Sequence, residues 1–301
     1  MPRRVLEPQP PYAFHETVRL LRTGHRDPTF RRHDDGFTSA HRFGAGLATI
    51  DVRQRGGELV AEAWGPGAEE ALERLPRRLG LHEAPWTLPP GNPRVDGMLK
   101  AHAGLRLVDT GDVFEALLNA VPQQLVTWAE AAAAWRRVVE RLGDVAPGPA
   151  ADELGLMVPP DPKTLARAGT AVLQACGVGR KRARVLVDVG RRAGRLQEAA
   201  TMNTVAARRR LQALPGVGPW TATFVLGMRL GRPEPVLLGD VHMPNTVAWG
   251  LAGEERGTEE RMLELLEPYQ GQAFRVLRLL HAARVSAPKR GPRRQAFAAH
   301  R

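Results

Sequence analysis

A short stretch in the second half of the chain has the composition of an anion-binding turn. Residues 214–224 read LPGVGPWTATF, with Gly216 and Gly218 on either side of a valine and Pro219 directly after them. Glycines permit a tight turn and the close approach of a partner, because they carry no Cβ, and proline suits the first position of a helix. Backbone N–H groups at the positive end of that helix would favour an anion such as a phosphate. A glycine turn between two packed helices would have a similar sequence, so both interpretations stay open.

A carboxylate follows this turn along the chain. In VLLGDVHMPNTVAWGL, residues 236–251, an apolar run brings Asp240 to the start of a helix, with His242 two positions later. Aspartate is an ordinary helix N-cap, and a cap is the simplest interpretation of the residue on its own. What distinguishes Asp240 is its place one helix and one loop after the glycine turn.

The composition favours a polyanionic partner. The 301 residues include 43 Lys+Arg against 32 Asp+Glu, a formal net charge of +11, and 43% of them are hydrophobic. Such a balance attracts nucleic acid over long range, although a merely basic surface would have the same composition. Cys176 is the single cysteine, which excludes an internal disulfide, a cysteine zinc site and a four-cysteine iron–sulfur cluster. The histidines lack metal-ligand spacing, so we expect no cofactor and no metal held by side chains.

The sequence carries no targeting or membrane signal that we recognise. The start, MPRRVLEPQPPYAF, has basic residues without the apolar core of a signal peptide, and no apolar run approaches the length of a membrane span. We therefore expect a cytoplasmic protein, nucleoid-associated if it is bacterial, with no membrane partner.

The pattern of apolar and charged residues along the sequence predicts two domains and a tail. Residues 1–96 hold short β-like runs (FTSAHRF, LATIDVRQ, GELVAEAWG) with Gly56 and Gly57 placed as a hairpin turn, followed by the helical pattern AEEALERLPRRLGL. Residues 97–288 have helical periodicity, and residues 289–301 are basic without an apolar period. The predicted fold is mostly α, with a small α+β N-terminal domain that contains an antiparallel sheet. Helices are predicted at about 179–194, 204–213, 219–230, 241–251, 258–266 and 271–284, with a helix break near Pro122.

The order of hairpin, helix, loop and Asp-x-His resembles the helix-hairpin-helix (HhH-GPD) DNA glycosylases over about residues 105–285. The resemblance implies that the backbone N–H groups of Gly216, Gly218 and Trp220 bind a DNA phosphate. It also implies that a monovalent cation bound by the backbone of the hairpin, 214–219, assists them. The catalytic aspartate of the family falls on Asp240.

A third landmark points to the AlkA branch of that family, which excises alkylated bases. In AVPQQLVTWAEA, Gln124 and Leu125 lie at the break between two helices, and the resemblance makes Leu125 the residue that enters the duplex, although core packing is its simplest interpretation. It also makes Trp220 and Phe224 candidates for the base pocket. The α+β domain in front resembles the structural N-terminal domain of AlkA-type 3-methyladenine glycosylases. The chain departs from the best-known form in having one acid in GDVHMP instead of two, and Pro122 where glycine is common.

The resulting hypothesis is a monofunctional glycosylase, a monomer that acts on damaged bases in double-stranded DNA. One alternative is a bifunctional glycosylase and lyase, which would need a lysine two positions beyond the last glycine of the hairpin. That position is Trp220, and the nearest lookalike is Lys181 in the second glycine-valine-glycine stretch, GVGRKRA. The other alternative is a non-catalytic helix-hairpin-helix protein that binds DNA damage.

Overall fold

An antiparallel sheet forms the N-terminal part of the computed structural model, which describes residues 1–44 and 46–288. The predicted tail, 289–301, lies outside the described residues. The strands are β1 Arg3–Leu6, β2 Phe30–Arg32, β3 Gly36–Phe43, β4 Gly46–Arg55, β5 Glu58–Trp64, β6 Asp144–Val145 and β7 Met157–Val158. The first five pair in the order β1-β5-β4-β3-β2, and β6 and β7 form a separate pair.

The hairpin between β4 and β5 has the predicted glycine turn. Arg55 pairs with Glu58, so only Gly56 and Gly57 remain in the loop. Gly56 has a φ of +61°, a left-handed conformation that glycine adopts without the steric cost of a Cβ. The sheet buries an apolar face whose most enclosed members include Phe37, Ile50 and Leu59. The predicted α+β unit with an antiparallel sheet is confirmed.

The rest of the described chain is helical, which confirms the predicted fold class. The helices are α1 Phe14–Val18, α2 Ala68–Arg78, α3 Pro93–Ala101, α4 Val113–Ala120, α5 Trp128–Leu142, α6 Pro149–Leu154, α7 Pro162–Ala175, α8 Arg180–Arg191, α9 Ala193–Gln197, α10 Thr204–Gln212, α11 Pro219–Phe224, α12 Met243–Val247, α13 Glu259–Leu266 and α14 Ala273–Ala282. The described helices are too short or too polar to span a lipid bilayer.

Two predicted helices differ from the structure in extent and in winding. The helix predicted at 219–230 is α11 followed by a π-helical segment, Val225–Arg229, and the helix predicted at 241–251 begins at Met243 and continues as the π-helical Ala248–Ala252. Apolar periodicity predicts that a face is buried, but it does not distinguish i→i+4 from i→i+5 hydrogen bonding.

Buried arginines of the helical part hold the N-terminal segment against it. Arg106 Nη2 donates to the carbonyl of Pro11 at 2.9 Å, and Arg229 Nη1 donates to the carbonyl of Leu21 at 3.4 Å. Burial lowers the pKa of Arg229, because a desolvated guanidinium is less stable in its charged form.

The two hydrophobic cores interleave in sequence near the predicted domain boundary. Trp86 and Val95 pack with the helical core, whereas Val108 packs with the core of the sheet. The division between residues 96 and 97 therefore stays a prediction.

Candidate nucleic-acid interface and active site

The predicted hairpin connects α10 to α11 through a turn that is anchored by one apolar side chain. Val217 is 4% exposed, and its N–H donates to the carbonyl of Leu214 at 3.0 Å. Gly216 has a φ of +89°, and a Cβ at this position would lie 2.3 Å from Cγ2 of Val185. Gly216 is therefore required by the turn itself, both for its backbone conformation and for its close packing on α8.

The backbone N–H groups that the resemblance assigns to phosphate binding are free. Among the described residues, no hydrogen bond joins the N–H groups of Gly216, Gly218 and Trp220 to an acceptor. Gly218 is the N-cap of α11, and a Cβ built there would meet nothing within 4 Å. The start of α11 thus presents unpaired donors towards open space, which is the geometry of an anion site at a helix terminus.

Residues 124–127, between Gln123 and the start of α5, form a loop that carries Leu125, the predicted wedge, and is called the wedge loop below. Gln124 joins this loop to the hairpin. Its Nε2 donates to the carbonyl of Gly216 and to Oγ1 of Thr221, both at 2.9 Å. The structure therefore brings together two segments that lie 92 residues apart in the sequence. The role of Gln124 that is visible in the structure is to position the loop, whereas its predicted contact with DNA stays a prediction.

Leu125 is exposed, so the interpretation as a core residue is wrong. Its residue surface is 93% exposed, and its φ is +55°. A left-handed backbone costs a branched residue about 1 kcal/mol or more, and an apolar side chain in water contributes no burial in return. Strain of this kind persists where the surroundings enforce it, and here the hydrogen bonds of the adjacent Gln124 hold the loop.

Asp240 lies beside the hairpin through a contact with Trp220. Its Oδ2 accepts a hydrogen bond from Nε1 of Trp220 at 2.7 Å. Its Oδ1 accepts from the backbone N–H groups of His242 and Met243, both at 2.8 Å. The N-cap residue of α12 is His242, and Asp240 lies two residues before it, where its Oδ1 accepts from the N–H of the first helical residue, Met243. The same three donors fix the orientation of its carboxylate beside the hairpin.

The two candidate pocket residues form one aromatic unit. The rings of Trp220 and Phe224 are stacked, with centroids 5.3 Å apart and an interplanar angle of 28°. Phe224 is 9% exposed, whereas Trp220 is partly exposed. Phe224 thus supports the indole from behind, and the indole is the ring of this pair that a ligand can reach more readily.

His242 contacts Asp240 through its backbone. His242 is exposed, and its backbone N–H donates to Oδ1 of Asp240 at 2.8 Å. His242 therefore orients the carboxylate by its position in the chain and not by its imidazole.

The basic run at the start of α8 divides into exposed residues and one anchor. Arg180, Lys181 and Arg184 are exposed, as expected of a solvated or phosphate-facing helix start. Arg182 is partly buried, and its Nη1 donates to the carbonyl of Pro122 at 2.6 Å. Burial lowers the pKa of Arg182, against the opposing effect of the carboxylate of Glu130, because desolvation disfavours its charged form.

Three contacts place the wedge loop, the hairpin and the start of α8 at one surface. These are the bonds of Gln124 to the hairpin, the bond of Arg182 to the loop, and the packing of Val185 beneath Gly216. The contact of Thr221 with Gln124 could not be predicted from the sequence, because a single hydroxyl in a helix has no pattern that identifies its partner. Trp128, three residues after Leu125, is 52% exposed, and this exposure was not predicted either.

The described residues contain no group of three or more His, Cys, Asp or Glu side chains that could hold a metal ion. A monovalent cation on the hairpin backbone stays a prediction. The carbonyl of Leu214 accepts one hydrogen bond and keeps a lone pair that could coordinate such an ion.

Residues 118–270 match the family described as "HhH-GPD superfamily base excision DNA repair protein". The chain belongs to the HhH-GPD superfamily. The matched segment includes the wedge loop, the hairpin and Asp240.

Two curated relatives carry names from the alkylation branch. DNA-3-methyladenine glycosylase 2 of Escherichia coli is 31% identical over 180 residues, which cover 59% of this chain and 61% of that protein. DNA-3-methyladenine glycosylase of Bacillus subtilis is 26% identical over 185 residues, which cover 59% and 60%. The matches thus span about three fifths of the length of these relatives, and the predicted resemblance to the AlkA type is confirmed.

The overall fold is shared with solved glycosylases. A 3-methyladenine DNA-glycosylase from Archaeoglobus fulgidus superposes with a TM-score of 0.76 at 21% identity, covering 92% of this chain and 97% of that one. The 8-oxoguanine glycosylase/lyase from Clostridium acetobutylicum superposes with a TM-score of 0.70 at 14% identity, covering 94% and 96%. The likeness thus extends over the N-terminal sheet as well as the helices.

Proposed function

We propose that this HhH-GPD protein is a monofunctional DNA glycosylase, which hydrolyses the N-glycosidic bond of bases alkylated on a ring nitrogen in double-stranded DNA. The observation that carries the proposal is the position of Asp240, oriented by the indole of Trp220 next to a hairpin with unpaired N–H groups. The names of the Escherichia coli and Bacillus subtilis relatives support 3-methyladenine as the substrate type.

Binding begins with the phosphate backbone. The free N–H groups at the start of α11 would hold one phosphate, and the exposed Arg180, Lys181 and Arg184 would lie at the same surface. With a formal net charge of +11, the chain gains affinity from the release of counterions. These contacts fix the register of the protein on the duplex without reading its sequence.

Extraction of the damaged nucleotide follows, because a base inside the duplex is out of reach of any carboxylate. Leu125 is exposed and held away from the core, so its side chain can occupy the space that the nucleotide leaves. The contacts of Gln124 with Gly216 and Thr221 tie the position of this wedge to the position of the bound phosphate.

The chemical step places a developing positive charge next to Asp240. As the bond between C1′ and the base nitrogen breaks, its electron pair leaves with the base and the sugar acquires oxocarbenium character. The carboxylate of Asp240 stabilises that charge. Water then forms the new bond to C1′, and its proton passes to the carboxylate or to solvent.

The alkylated base itself explains why modest assistance is enough. A base alkylated on a ring nitrogen is already cationic, so it departs as a neutral group without prior protonation. The indole of Trp220, supported by Phe224, offers a π-face to that cation. The same pair would bind an uncharged normal base less tightly.

A tryptophan at position 220, where a lyase would need a lysine, favours hydrolysis without strand cleavage. Trp220 occupies the position from which a lyase lysine would attack, and an indole cannot form a Schiff base. Lys181 belongs to a different helix, and among the described residues no hydrogen bond or ion pair joins it to Asp240.

The direct test is to incubate the protein with duplex DNA that carries 3-methyladenine and to identify the released base by mass spectrometry. We expect the free methylated base and an intact strand with an abasic site, which breaks only after alkali or heat. Borohydride should trap no covalent complex. Release of no base would contradict the enzymatic assignment and favour a damage-binding protein, whereas unaided nicking with a trapped complex would favour a lyase.

A further inference from the structure

Glu259 contacts the loop that carries Asp240, and the proposed function gives it no role. Its Oε2 accepts a hydrogen bond from the backbone N–H of Gly239 at 2.7 Å, across 20 residues of sequence. Gly239 directly precedes Asp240, so the two Cα atoms lie about 3.8 Å apart. Glu259 is the first residue of α13. A carboxylate from a separate helix therefore binds the backbone immediately before the reactive group of the proposed function.

Gly239 is a point of conformational freedom in this loop. Its φ is +75°, in the left-handed region, and a Cβ built on it would meet nothing within 4 Å. A glycine in open space can leave such a conformation at little steric cost, and each change redirects the side chain of the next residue. Within the part of the chain that the structure describes, the bond to Glu259 is the only hydrogen bond of the Gly239 backbone.

Glu259 is placed firmly relative to α12. Two residues before it, the N–H of Gly257 donates to Oδ1 of Asn245 on α12 at 2.9 Å. A Cβ at Gly257 would lie 2.6 Å from the carbonyl oxygen of Pro244, which also belongs to α12. The segment that leads into α13 thus packs directly on α12, and Glu259 holds Gly239 against a fixed support.

The contact of Glu259 differs from those of two neighbouring acids. Arg261 donates to Glu254 at 2.7 Å and to Glu264 at 2.9 Å, so a cation engages both of those carboxylates. Glu259 itself takes part in no ion pair with another described residue. Its carboxylate is bound instead to a backbone N–H, and an ionised acceptor makes such a bond stronger than one between neutral groups.

We propose that Glu259 is a positioning residue for the reaction, because it fixes the peptide before Asp240 and so orients the reactive carboxylate. The inference rests on the proposed function, since the orientation matters only if Asp240 stabilises a charge on the sugar. Trp220, His242 and Met243 donate to the carboxylate itself, whereas Glu259 fixes the backbone from which that side chain projects. A side chain held at both ends has fewer orientations, and electrostatic stabilisation depends on such preorganisation.

Three substitutions of Glu259 separate the hydrogen bond from the charge. Glu259→Gln keeps an acceptor oxygen at the same reach and removes the charge. Glu259→Asp keeps the charge, but its side chain is one methylene shorter and its acceptor does not reach Gly239. Glu259→Ala removes both. Glu267→Ala, which removes an exposed carboxylate directly after α13, controls for the loss of one negative charge from the same helix.

We expect Glu259→Ala and Glu259→Asp to slow single-turnover release of 3-methyladenine by about 5- to 50-fold, because a misplacement of about 1 Å at a reacting group can cost about 100-fold. Glu259→Gln and Glu267→Ala should stay within about threefold of wild type. Affinity for a duplex with a tetrahydrofuran abasic analogue should change by less than about threefold in all four variants, since the lost interaction affects the chemical step and not binding.

A second measurement does not depend on activity. Hydrogen–deuterium exchange of a peptide that covers Gly239 reports on its N–H group. Exchange at this N–H should become faster in Glu259→Ala and Glu259→Asp, and should stay close to wild type in Glu259→Gln. Thermal unfolding checks that each variant folds. If Glu259→Ala does not fold, Glu259→Asp decides the matter, because it keeps a negative charge where a helix N-terminus favours one.

Other outcomes overturn the inference. If wild type excises 3-methyladenine and Glu259→Asp does so at the same rate, the positioning role is wrong and the proposed function stands. If Glu259→Gln is as slow as Glu259→Ala, the charge acts and the hydrogen bond does not, which also overturns the role. If wild type releases no base, the proposed function fails and the positioning role fails with it, even where exchange shows that Glu259 holds Gly239.

Discussion

Two glycine-valine-glycine turns in this chain lead into helices, and they are built alike up to the second glycine. Gly177 has a φ of +85° and Gly216 a φ of +89°. The valines that follow, Val178 and Val217, are 1% and 4% exposed. In both turns a left-handed glycine lets the chain reverse, and the valine anchors the turn in the core.

The turns differ in what covers the second glycine. A Cβ at Gly218 would meet nothing within 4 Å, whereas a Cβ at Gly179 would lie 2.9 Å from Nη2 of Arg182. The open turn leaves its N–H groups accessible to the phosphate of the proposed function, and the covered turn carries a side chain, that of Arg182, which bonds to the wedge loop. One backbone motif is thus the proposed phosphate site in one place and a scaffold in the other, and the neighbouring side chains account for the difference.

The largest expected effect tests whether the carboxylate of Asp240, which lies beside the open turn, stabilises the charge that develops in the reaction. Asp240→Asn keeps one oxygen for the N–H groups of His242 and Met243 but turns its amide NH2 towards the indole N–H of Trp220, so the free energy of unfolding should fall by about 1–3 kcal/mol. Excision should fall by about 10²–10³-fold or more, because a neutral amide no longer stabilises the oxocarbenium charge. Single-turnover release of 3-methyladenine, measured beside DNA binding, gives the result.

Two matched variants make this test specific. Asp161 caps α7 by accepting from the N–H groups of Lys163 and Thr164, so Asp161→Asn makes the same chemical change in a cap outside the site and should leave excision unchanged. Lys181→Ala removes the amine of the covered turn and should leave the chemical step unchanged. Normal excision by Asp240→Asn, or loss of the chemical step in Lys181→Ala, would reverse the assignment of the two turns.

The next prediction tests whether the fold requires the first glycine of each turn, Gly216 and Gly177. Gly216→Ala should lower the free energy of unfolding by about 2–4 kcal/mol, because it combines a strained backbone with a clash against Val185. Gly177→Ala meets the flexible end of Arg137 instead, so only the backbone strain of about 1–2 kcal/mol remains. Chemical denaturation measures both, and a Gly216→Ala protein as stable as wild type would contradict the packing described here.

A smaller effect on DNA affinity distinguishes the second glycines of the two turns, Gly218 and Gly179. Gly218 has a φ of −85°, which any residue adopts, so Gly218→Val should fold normally. Its side chain would fill the space in front of the free N–H groups, and affinity for duplex DNA should fall about 10-fold, or about 1.4 kcal/mol. Gly179→Val only displaces the guanidinium of Arg182 and should change affinity by less than about threefold. Equal losses in the two variants would show that both turns bind phosphate.

Many features of the fold and of the candidate site can be predicted from the sequence, and there is a physical reason why the others cannot. The hairpin was predicted because glycine and proline at fixed offsets report local backbone geometry, whereas Leu125 was assigned through the resemblance to the HhH-GPD family, against the simpler interpretation as a core residue. The sheet with its Gly56-Gly57 turn follows from equally local signals. These features depend on residues within one turn of each other.

What could not be predicted depends on pairs that lie far apart in sequence. The bond of Gln124 to Thr221, the bond of Arg182 to the carbonyl of Pro122, and the bond of Trp220 to Asp240 all require knowledge of which segments meet. In the sequence, Arg182 belongs to the basic run RKRAR at 180–184, and no local pattern distinguishes it from Arg180, Lys181 and Arg184. Only the packing of α8 against the wedge loop separates it from them.

The smallest expected effect tests Arg182 as the link between the covered turn and the wedge. Arg182→Ala removes the hydrogen bond to the carbonyl of Pro122, so the loop that carries Leu125 should become less well held. Excision from a fully paired duplex should slow by about 3- to 10-fold, equivalent to about 1 kcal/mol, because the wedge matters most where unstacking costs most. Excision from single-stranded DNA should change by less than about twofold, since it needs no wedge.

The matched control is Arg184→Ala, which removes an exposed charge from the same helix and should weaken binding to both substrates through electrostatics alone. If the two variants behave identically on both substrates, Arg182 acts only through its charge, and the start of α8 is a second phosphate-facing surface instead of a scaffold.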